Sequence, residues 1–210
     1  MKSTILSSAL LAALAAATPM PQTGSTSCRA YTVLFARGTT ETGTLGYVVG
    51  PGLQKSVESA LGADQVTTVG VSYAADAAGI WAESTGSGPG SQAMTKQAQQ
   101  ALSSCPETKL ILTGYSQGAM VVHNSAKLLG SQVSTVDAAV TFGDPFKTQL
   151  PSGIDTAKFH TFCATGDAVC GSVGSCAGTG GCTSKSTSGH LGYGSDVSAA
   201  AAFIKSAVGA

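Results

Sequence analysis

Residues 110–122 read Leu-Ile-Leu-Thr-Gly-Tyr-Ser-Gln-Gly-Ala-Met-Val-Val and place one serine between two apolar segments of different kinds. The run Leu110–Leu112 is typical of a buried strand, and the run Ala119–Val122 is typical of the opening of a helix. A serine on such a turn is held in a strained conformation that lifts its hydroxyl above the sheet edge, and the flanking glycines leave room for the strand and the helix. The pattern therefore predicts that Ser116 is a nucleophile in an α/β fold.

On both sides of this turn the chain alternates between strand-like and helix-like segments. The strand-like segments are Tyr31–Ala36, Val66–Tyr73, Lys109–Thr113, Val136–Phe142 and Lys158–Cys163. The helix-like segments are Gly52–Leu61, Ser91–Ser104, Gln117–Leu129 and Asp196–Val208. This alternation predicts right-handed crossovers and a parallel sheet covered on both faces, which is a three-layer α/β sandwich. Two Gly/Ser-rich regions, Ala74–Gly90 and Gly171–Gly189, do not fit it, and we expect them to be loops that shape a ligand site.

The first residues have the layout of a secretory signal peptide. A basic start, Met1-Lys2, precedes an apolar run, and the small residues Ala15-Ala16-Ala17 precede Thr18-Pro19. We expect residues 1–17 to be a signal peptide, residues 18–27 a short N-terminal segment and residues 28–210 a single catalytic domain. Because no second apolar run is long enough to cross a bilayer, we expect a secreted, extracellular product without membrane association.

Charge and composition narrow the classes of partner. The chain has 11 basic and 11 acidic residues and a formal net charge of zero, so it lacks the basic surplus that nucleic-acid binding needs. Charged residues make up only 10% of the chain, which is compatible with an uncharged and even insoluble substrate. We expect no nucleic-acid partner and a monomer.

Six cysteines in a chain predicted to be exported indicate three disulfides rather than a metal site. Their number alone leaves about fifteen possible pairings. Among these we favour Cys28–Cys105, Cys163–Cys170 and Cys176–Cys182. The spacings are not those of a CxxC zinc site, so we expect no bound metal.

A serine nucleophile needs a base within hydrogen-bond reach, and the chain offers three histidines. His123 follows Ser116 on the same predicted helix by seven residues, so it points away from the turn and is predicted to be a packed helix residue. His160 lies inside a predicted strand, where its side chain would face a covering helix. His190 follows a long Gly/Ser loop and precedes the terminal helix, where this architecture places its base, so we predict that His190 is the base.

The carboxylate that orients the base should lie between the serine and the histidine in the chain. Asp167 lies in Cys163–Cys170, where a disulfide would hold it rigidly beneath an imidazole, and we favour it. Asp144, at the end of a predicted strand, is the rival on position alone. Asp137 begins a strand, and Asp155 lies in a polar turn and is interpreted as a capping or solvated residue.

Two groups could stabilise the negative charge of a tetrahedral intermediate. The backbone N–H of Gln117 lies at the start of the helix, next to the serine. The second donor in such folds comes from the loop after an earlier strand, here Arg37–Glu41. In that loop Thr39 could donate both its N–H and its hydroxyl.

Four spaced motifs together resemble the fungal cutinase family. They are Phe35-Ala-Arg-Gly-Thr-Thr-Glu-Thr-Gly43 with Leu45-Gly46, Gly114-Tyr-Ser-Gln-Gly118, Thr165-Gly-Asp-Ala-Val-Cys170 and His190-Leu-Gly-Tyr-Gly194. The match runs in one order from about Cys28 to the C-terminus. The resemblance implies an α/β-hydrolase fold with a five-stranded parallel sheet and no large lid, and an esterase that needs no cofactor.

The resemblance also assigns roles by position. It places Ser116, Asp167 and His190 in a catalytic triad and Thr39 and Gln117 in an oxyanion hole. It further supports the pairs Cys28–Cys105 and Cys163–Cys170. Many cutinases carry serine where this chain has Thr39, and we expect the hydroxyl to keep its role.

Two segments are predicted to form the walls of an acyl groove, by analogy with the family. On one side Val173 and Leu191 could provide apolar contact, although the stretch Gly171–Gly189 is longer and more polar than is typical of cutinases. On the other side Ile80 and the only tryptophan, Trp81, are candidates, although a lone tryptophan more often belongs to the core than to a ligand site.

The expected substrates are an insoluble polyester such as cutin and short-chain acyl esters. An acetylxylan esterase is the alternative within the same fold. A non-catalytic surface-binding protein on this scaffold is the alternative from another class.

Overall fold

The structure, a computed structural model, describes residues 28–171 and 175–210, and a five-stranded sheet forms its centre. The predicted signal peptide, the segment 18–27 and Val173 lie outside the described residues. The strands are β1 (Tyr31–Ala36), β2 (Val66–Gly70), β3 (Lys109–Tyr115), β4 (Val136–Phe142) and β5 (Phe159–Phe162). All neighbouring strands pair in parallel, in the order β2-β1-β3-β4-β5. The predicted five-stranded parallel sheet is confirmed.

In the described part of the chain, five α-helices accompany the sheet: α1 (Gly50–Leu61), α2 (Ala77–Ser84), α3 (Pro89–Ser104), α4 (Gln117–Leu129) and α5 (Val197–Ala207). Successive side chains of β1 point to opposite faces, so Val33 and Leu34 enter two different cores. Val33 packs in a cluster that includes Leu53 of α1 and Ile204 of α5. Leu34 packs in a cluster that includes Met94 of α3. The sheet is therefore the middle of three layers, as predicted.

The region Ala74–Gly90, predicted to be a loop, contains helix α2, and this prediction is wrong. The helix begins because the Asp76 side chain accepts a hydrogen bond from the Gly79 N–H at 2.7 Å, which caps the first turn. Because the stretch is rich in glycine and alanine, its sequence did not predict this capped helix. By contrast, the described part of Gly171–Gly189, up to residue 188, contains neither helix nor strand.

Strand β2 is shorter than predicted, since it ends at Gly70 rather than Tyr73. The guanidinium of Arg37 donates to the carbonyl oxygens of Val71 and Tyr73, at 3.4 and 2.6 Å. The segment after Gly70 is therefore held by the Arg37 side chain, which directly follows β1.

All three favoured disulfides are confirmed: Cys28–Cys105, Cys163–Cys170 and Cys176–Cys182. The first links residues 77 positions apart, whereas the other two close short loops of 7 and 6 positions. Across residues 28–171 and 175–210, no helix has the length and apolar character that a membrane span requires.

Candidate active site

Ser116 lies on the turn between β3 and α4 in a conformation that L-residues rarely adopt, with φ 57° and ψ −119°. A Cβ atom on Gly114 would lie 2.0 Å from the carbonyl oxygen of Gly118, and one on Gly118 would lie 1.9 Å from the carbonyl oxygen of Ala36. Glycine is therefore required on both sides of the serine, as the sequence predicted. The turn leaves Ser116 half-buried at the carboxyl edge of the sheet.

The structure brings the three predicted triad residues into one chain of hydrogen bonds. The Nε2 atom of His190 lies 2.9 Å from the Ser116 hydroxyl oxygen, and its Nδ1 atom lies 2.8 Å from Oδ2 of Asp167. Because a carboxylate can only accept, Nδ1–H donates to Asp167, and the Nε2 lone pair faces the serine. The Tyr115 hydroxyl donates to the His190 carbonyl oxygen at 2.9 Å and so ties His190 to β3.

The Asp167 carboxylate is buried, and both of its oxygens accept hydrogen bonds. Its Oδ2 accepts from His190 and from the Tyr193 hydroxyl, and its Oδ1 accepts from the Val169 N–H at 2.8 Å. Burial raises the pKa of Asp167, but the hydrogen bonds from Tyr193, His190 and Val169 together outweigh burial, so that its pKa lies below the ordinary range. The carboxylate is therefore charged at neutral pH. The Cys163–Cys170 disulfide closes the loop around it.

The rival acid, Asp144, belongs to a different pair. Its Oδ2 lies 2.8 Å from Nε2 of His123 and accepts from the Thr141 hydroxyl, also at 2.8 Å. His123 is buried on α4, as predicted, and its ring meets Phe146 and Phe159 edge-on. Neither residue of this pair reaches Ser116.

The remaining candidates for the base and the acid are not part of this hydrogen-bonded array. His160 is buried on β5, where its Nδ1 donates to the Thr179 carbonyl oxygen, and burial lowers its pKa. Asp137 accepts from the Leu110 N–H at 3.1 Å. Asp155 is exposed before a short 3-10 helix.

The predicted oxyanion donors lie side by side at the carboxyl ends of β1 and β3. The Thr39 hydroxyl lies 3.4 Å from Oε1 of Gln117, whose Nε2 donates to the Asp76 carbonyl oxygen at 3.0 Å. Among the described residues, neither the Thr39 N–H nor the Gln117 N–H donates a hydrogen bond. Both backbone donors are thus available for a ligand.

The buried carboxylate of Glu41, which was not among the predicted site residues, shapes the Thr39 loop. It accepts from the N–H groups of Gly38, Tyr47 and Val48, at 2.7, 2.7 and 2.8 Å. These three bonds fold the loop back around one side chain and fix the position of Thr39. The resemblance to the cutinase family could have pointed to Glu41, because this residue lies within the first of the four motifs.

The predicted groove residues are exposed where the structure describes them. Trp81 is 75% exposed, so it is not a core residue. It lies with Ile80, 40% exposed, on α2, which is tied to the site because Asp76 bonds the Gln117 side chain. Leu191, 70% exposed, directly follows His190.

Comparison with known proteins places this geometry in a family. A family model described as Cutinase matches residues 27–208. A cutinase from Botryotinia fuckeliana is 43% identical over 208 residues, which cover 98% of this chain and 96% of the relative. The structure of a Trichoderma reesei cutinase in complex with a C11Y4 phosphonate inhibitor matches with a TM-score of 0.73 and 38% identity, over 86% of this chain and 77% of that one.

A structure of an acetyl xylan esterase, described as an iodinated complex, also matches, with a TM-score of 0.64 and 26% identity over 87% of this chain and all of that one. The sheet therefore has the α/β-hydrolase fold that the resemblance implied. The family match covers nearly all the described residues, and these include Ser116, Asp167 and His190. The chain belongs to the cutinase family of carboxylic ester hydrolases.

Proposed function

We propose that the protein is a secreted serine esterase in which Ser116 is the nucleophile, His190 the base and Asp167 the orienting acid. The observation that supports this most directly is the continuous hydrogen-bonded array from the Ser116 hydroxyl through His190 to Asp167. A nucleophile, a base and an orienting group in this order are the arrangement that acyl transfer requires.

The reaction proceeds in two halves. Nε2 of His190 takes the Ser116 proton as the serine oxygen bonds to the ester carbonyl carbon, and the carbonyl electrons move to its oxygen. When the tetrahedral intermediate collapses, the bond to the alcohol breaks and the alcohol leaves with the proton from Nε2. Water then attacks the acyl-enzyme in the same way and releases the acid, while Asp167 stabilises the imidazolium in both halves.

The negative oxygen of each intermediate is bound by Thr39 and Gln117. Their backbone N–H groups have no other partner in the described chain, and the Glu41 carboxylate and the Gln117 side chain hold the two segments in place before substrate arrives. Donors fixed in advance need no reorganisation as the charge develops. Loss of one such donor raises the barrier by about 3 kcal/mol.

The substrate is proposed to be a cutin polyester or a short-chain acyl ester. The cutinase relatives support this proposal, and so do the exposed apolar side chains of Ile80, Trp81 and Leu191 near the base and the oxyanion loop. An acetylxylan esterase remains the second candidate, because a structure of such an enzyme aligns over 87% of the chain. The polar residues between 175 and 189 favour the shorter acyl group.

Initial rates on p-nitrophenyl esters from acetyl to palmitate test the proposal. We expect a maximum near butyrate, and we expect Ser116→Ala to lower kcat by roughly 10⁶-fold. Ser103→Ala, on an exposed site of α3, is the matched control and should keep full activity. Activity on acetyl esters alone would favour the deacetylase alternative, and a folded but inactive native protein would contradict the esterase proposal.

Secretion and oligomeric state need separate measurements. We expect the N-terminus of protein recovered from culture medium, read by mass spectrometry, to lie after Ala17. Light scattering on the same sample should give the mass of one chain. Protein retained in the cells, or a dimer mass, would contradict these parts of the proposal.

A further inference from the structure

We propose that Tyr193 is a positioning residue for the catalytic array and acts through the carboxylate of Asp167. The proposal rests on the proposed function, since it assumes that Asp167 orients His190. Tyr193 begins a short 3-10 helix (Tyr193–Ser195) three residues after His190, and its side chain is fully buried. Its hydroxyl contacts Asp167 but neither Ser116 nor the place where substrate reacts.

The direction of the Tyr193 hydroxyl proton is fixed by its neighbours. The Ala164 N–H donates to the hydroxyl oxygen at 2.9 Å, and the disulfide sulfur of Cys170 lies 3.5 Å from that oxygen. Because a carboxylate can only accept and is a stronger acceptor than sulfur, the hydroxyl proton points at Oδ2 of Asp167. Burial, and then the hydrogen bond to Asp167, raise the pKa of Tyr193 well above its ordinary value, so the phenol stays protonated. Tyr193 is thus a permanent donor to this carboxylate.

The ring of Tyr193 is held as firmly as its hydroxyl. It meets Phe142 edge-on at a centroid distance of 6.2 Å and Tyr115 at 6.1 Å. Gly143 makes the room for this arrangement, because a Cβ atom there would lie 2.9 Å from the Tyr193 ring and 2.7 Å from the His190 ring. The tyrosine and the base therefore pack over the same glycine.

These contacts restrict how the Asp167 carboxylate can turn. Two donors, His190 and Tyr193, share its Oδ2, while Val169 binds its Oδ1. Rotation of the carboxylate would break the bonds from Tyr193 and Val169 together. The Asp167 carboxylate consequently keeps one orientation relative to the His190 imidazole, both before and after the imidazole takes the Ser116 proton.

The pair His123–Asp144 provides a matched control in the same molecule. There the Thr141 hydroxyl donates to the carboxylate oxygen that also binds histidine, at 2.8 Å. Tyr193→Phe and Thr141→Val each delete one hydroxyl from one His–Asp pair and keep the shape of the side chain. Only the first deletion touches the proposed catalytic array.

The test is kcat and KM on p-nitrophenyl butyrate, expressed per active site titrated with a phosphonate inhibitor. We expect Tyr193→Phe to lower kcat per titrated site roughly 10-fold, a small part of the 10² to 10⁴ that a positioned base contributes, with KM within about 2-fold. Thr141→Val should leave both constants unchanged. Dividing the rate by the concentration of titrated sites removes any loss of activity that is only a loss of folded protein.

A second variant keeps the proposal testable if Tyr193→Phe does not fold. Tyr193→3-fluorotyrosine keeps the ring and the hydroxyl but makes the hydroxyl a stronger donor. Because Tyr193 and His190 share Oδ2 of Asp167, it should move the low-field proton resonance of His190 Nδ1–H in an NMR spectrum.

Two results would overturn the inference. An unchanged kcat per titrated site in Tyr193→Phe would reduce Tyr193 to a packing residue. An unmoved Nδ1–H resonance in the fluorinated protein would show that the two donors are not coupled. Either can arise while the native protein is active and titrates fully, whereas a native protein that neither titrates nor turns over substrate would refute the proposed function itself.

Discussion

Two His–Asp pairs in this protein have nearly the same hydrogen bonds and opposite surroundings. In His190–Asp167 and in His123–Asp144 the histidine nitrogen lies 2.8 Å from Oδ2 of the carboxylate, and a hydroxyl donates to the same oxygen. In each, Oδ1 accepts from the backbone N–H two residues further along the chain. The bonding of the carboxylate alone therefore does not distinguish the pair that we propose to be catalytic from the structural one.

The pairs differ at the second nitrogen of the imidazole. Nε2 of His190 faces the Ser116 hydroxyl at 2.9 Å, and the His190 side chain is 24% exposed. Nδ1 of His123 has no hydrogen-bond partner among the described residues, and that side chain is only 7% exposed, between Phe146 and Phe159. What makes an imidazole a base is thus a hydroxyl within reach and access to substrate.

Replacing each histidine by alanine should separate the pairs most strongly in activity. We expect His190→Ala to lower kcat on p-nitrophenyl butyrate by roughly 10⁶-fold, because the serine loses its proton acceptor. His123→Ala should keep kcat per titrated site within about 2-fold, since it touches no part of the array. A loss of more than 100-fold per site in His123→Ala would contradict a purely structural role for His123.

The same two variants should reverse their order in stability. Each variant leaves a buried carboxylate without its histidine. The His123 side chain is only 7% exposed, so its removal leaves Asp144 buried, and we expect the free energy of unfolding to fall by about 3 kcal/mol. The His190 side chain is 24% exposed, so its removal lets water reach Asp167, and we expect a fall of about 1 kcal/mol. Urea unfolding at pH 7 measures the free energy of unfolding of both variants. Equal losses would mean that the burial of the histidine does not determine its contribution to stability.

Acid titration should reveal the charge of Asp167. Its pKa in the folded protein lies below the ordinary value of about 3.9, so its stabilising effect is complete above that pH and is lost as the pH falls through the folded-state value. Asp167→Asn should therefore show a shallower fall in melting temperature below pH 4 than the native protein. Parallel curves would contradict the assignment.

The third histidine, His160, lacks a carboxylate partner and should give the smallest effect. Burial lowers its pKa, although the Thr179 carbonyl and Asp196 act in the opposite sense. Its stabilising effect is complete above about pH 6.5 and is lost as the pH falls through the lower folded-state value, with a slope of at most about 1.4 kcal/mol per pH unit. His160→Asn should flatten the stability curve in this range, measured by urea unfolding. A steeper curve would show that the charged form is favoured.

The sequence was sufficient wherever structure follows from local rules. The bounds of β1, β4 and α4 agree with prediction, because their apolar patterns end at polar or glycine residues. The strained serine turn was also predictable, since its two glycines are required by direct backbone contacts. Their positions in late loops favoured His190 and Asp167, which the structure brings together, while their catalytic roles stay predictions.

Features that depend on distant contacts could not be predicted. Helix α2 depends on one capping aspartate within a stretch rich in alanine and glycine. The buried Glu41 gains its role only when the loop folds back to bring Tyr47 and Val48 to it. No local pattern shows that Tyr193 accepts from Ala164 and donates to Asp167, because the partners meet only after the sheet has formed.

The scattered origin of the array has a consequence for folding kinetics. Ser116 and His190 are 74 positions apart in the chain, Asp167 and His190 are 23 apart, and the Cys28–Cys105 bridge spans 77. Contacts between such distant residues form late, after the cost of closing long loops has been met. In a refolding experiment, activity should therefore return with the slowest phase, after most of the helical signal has recovered.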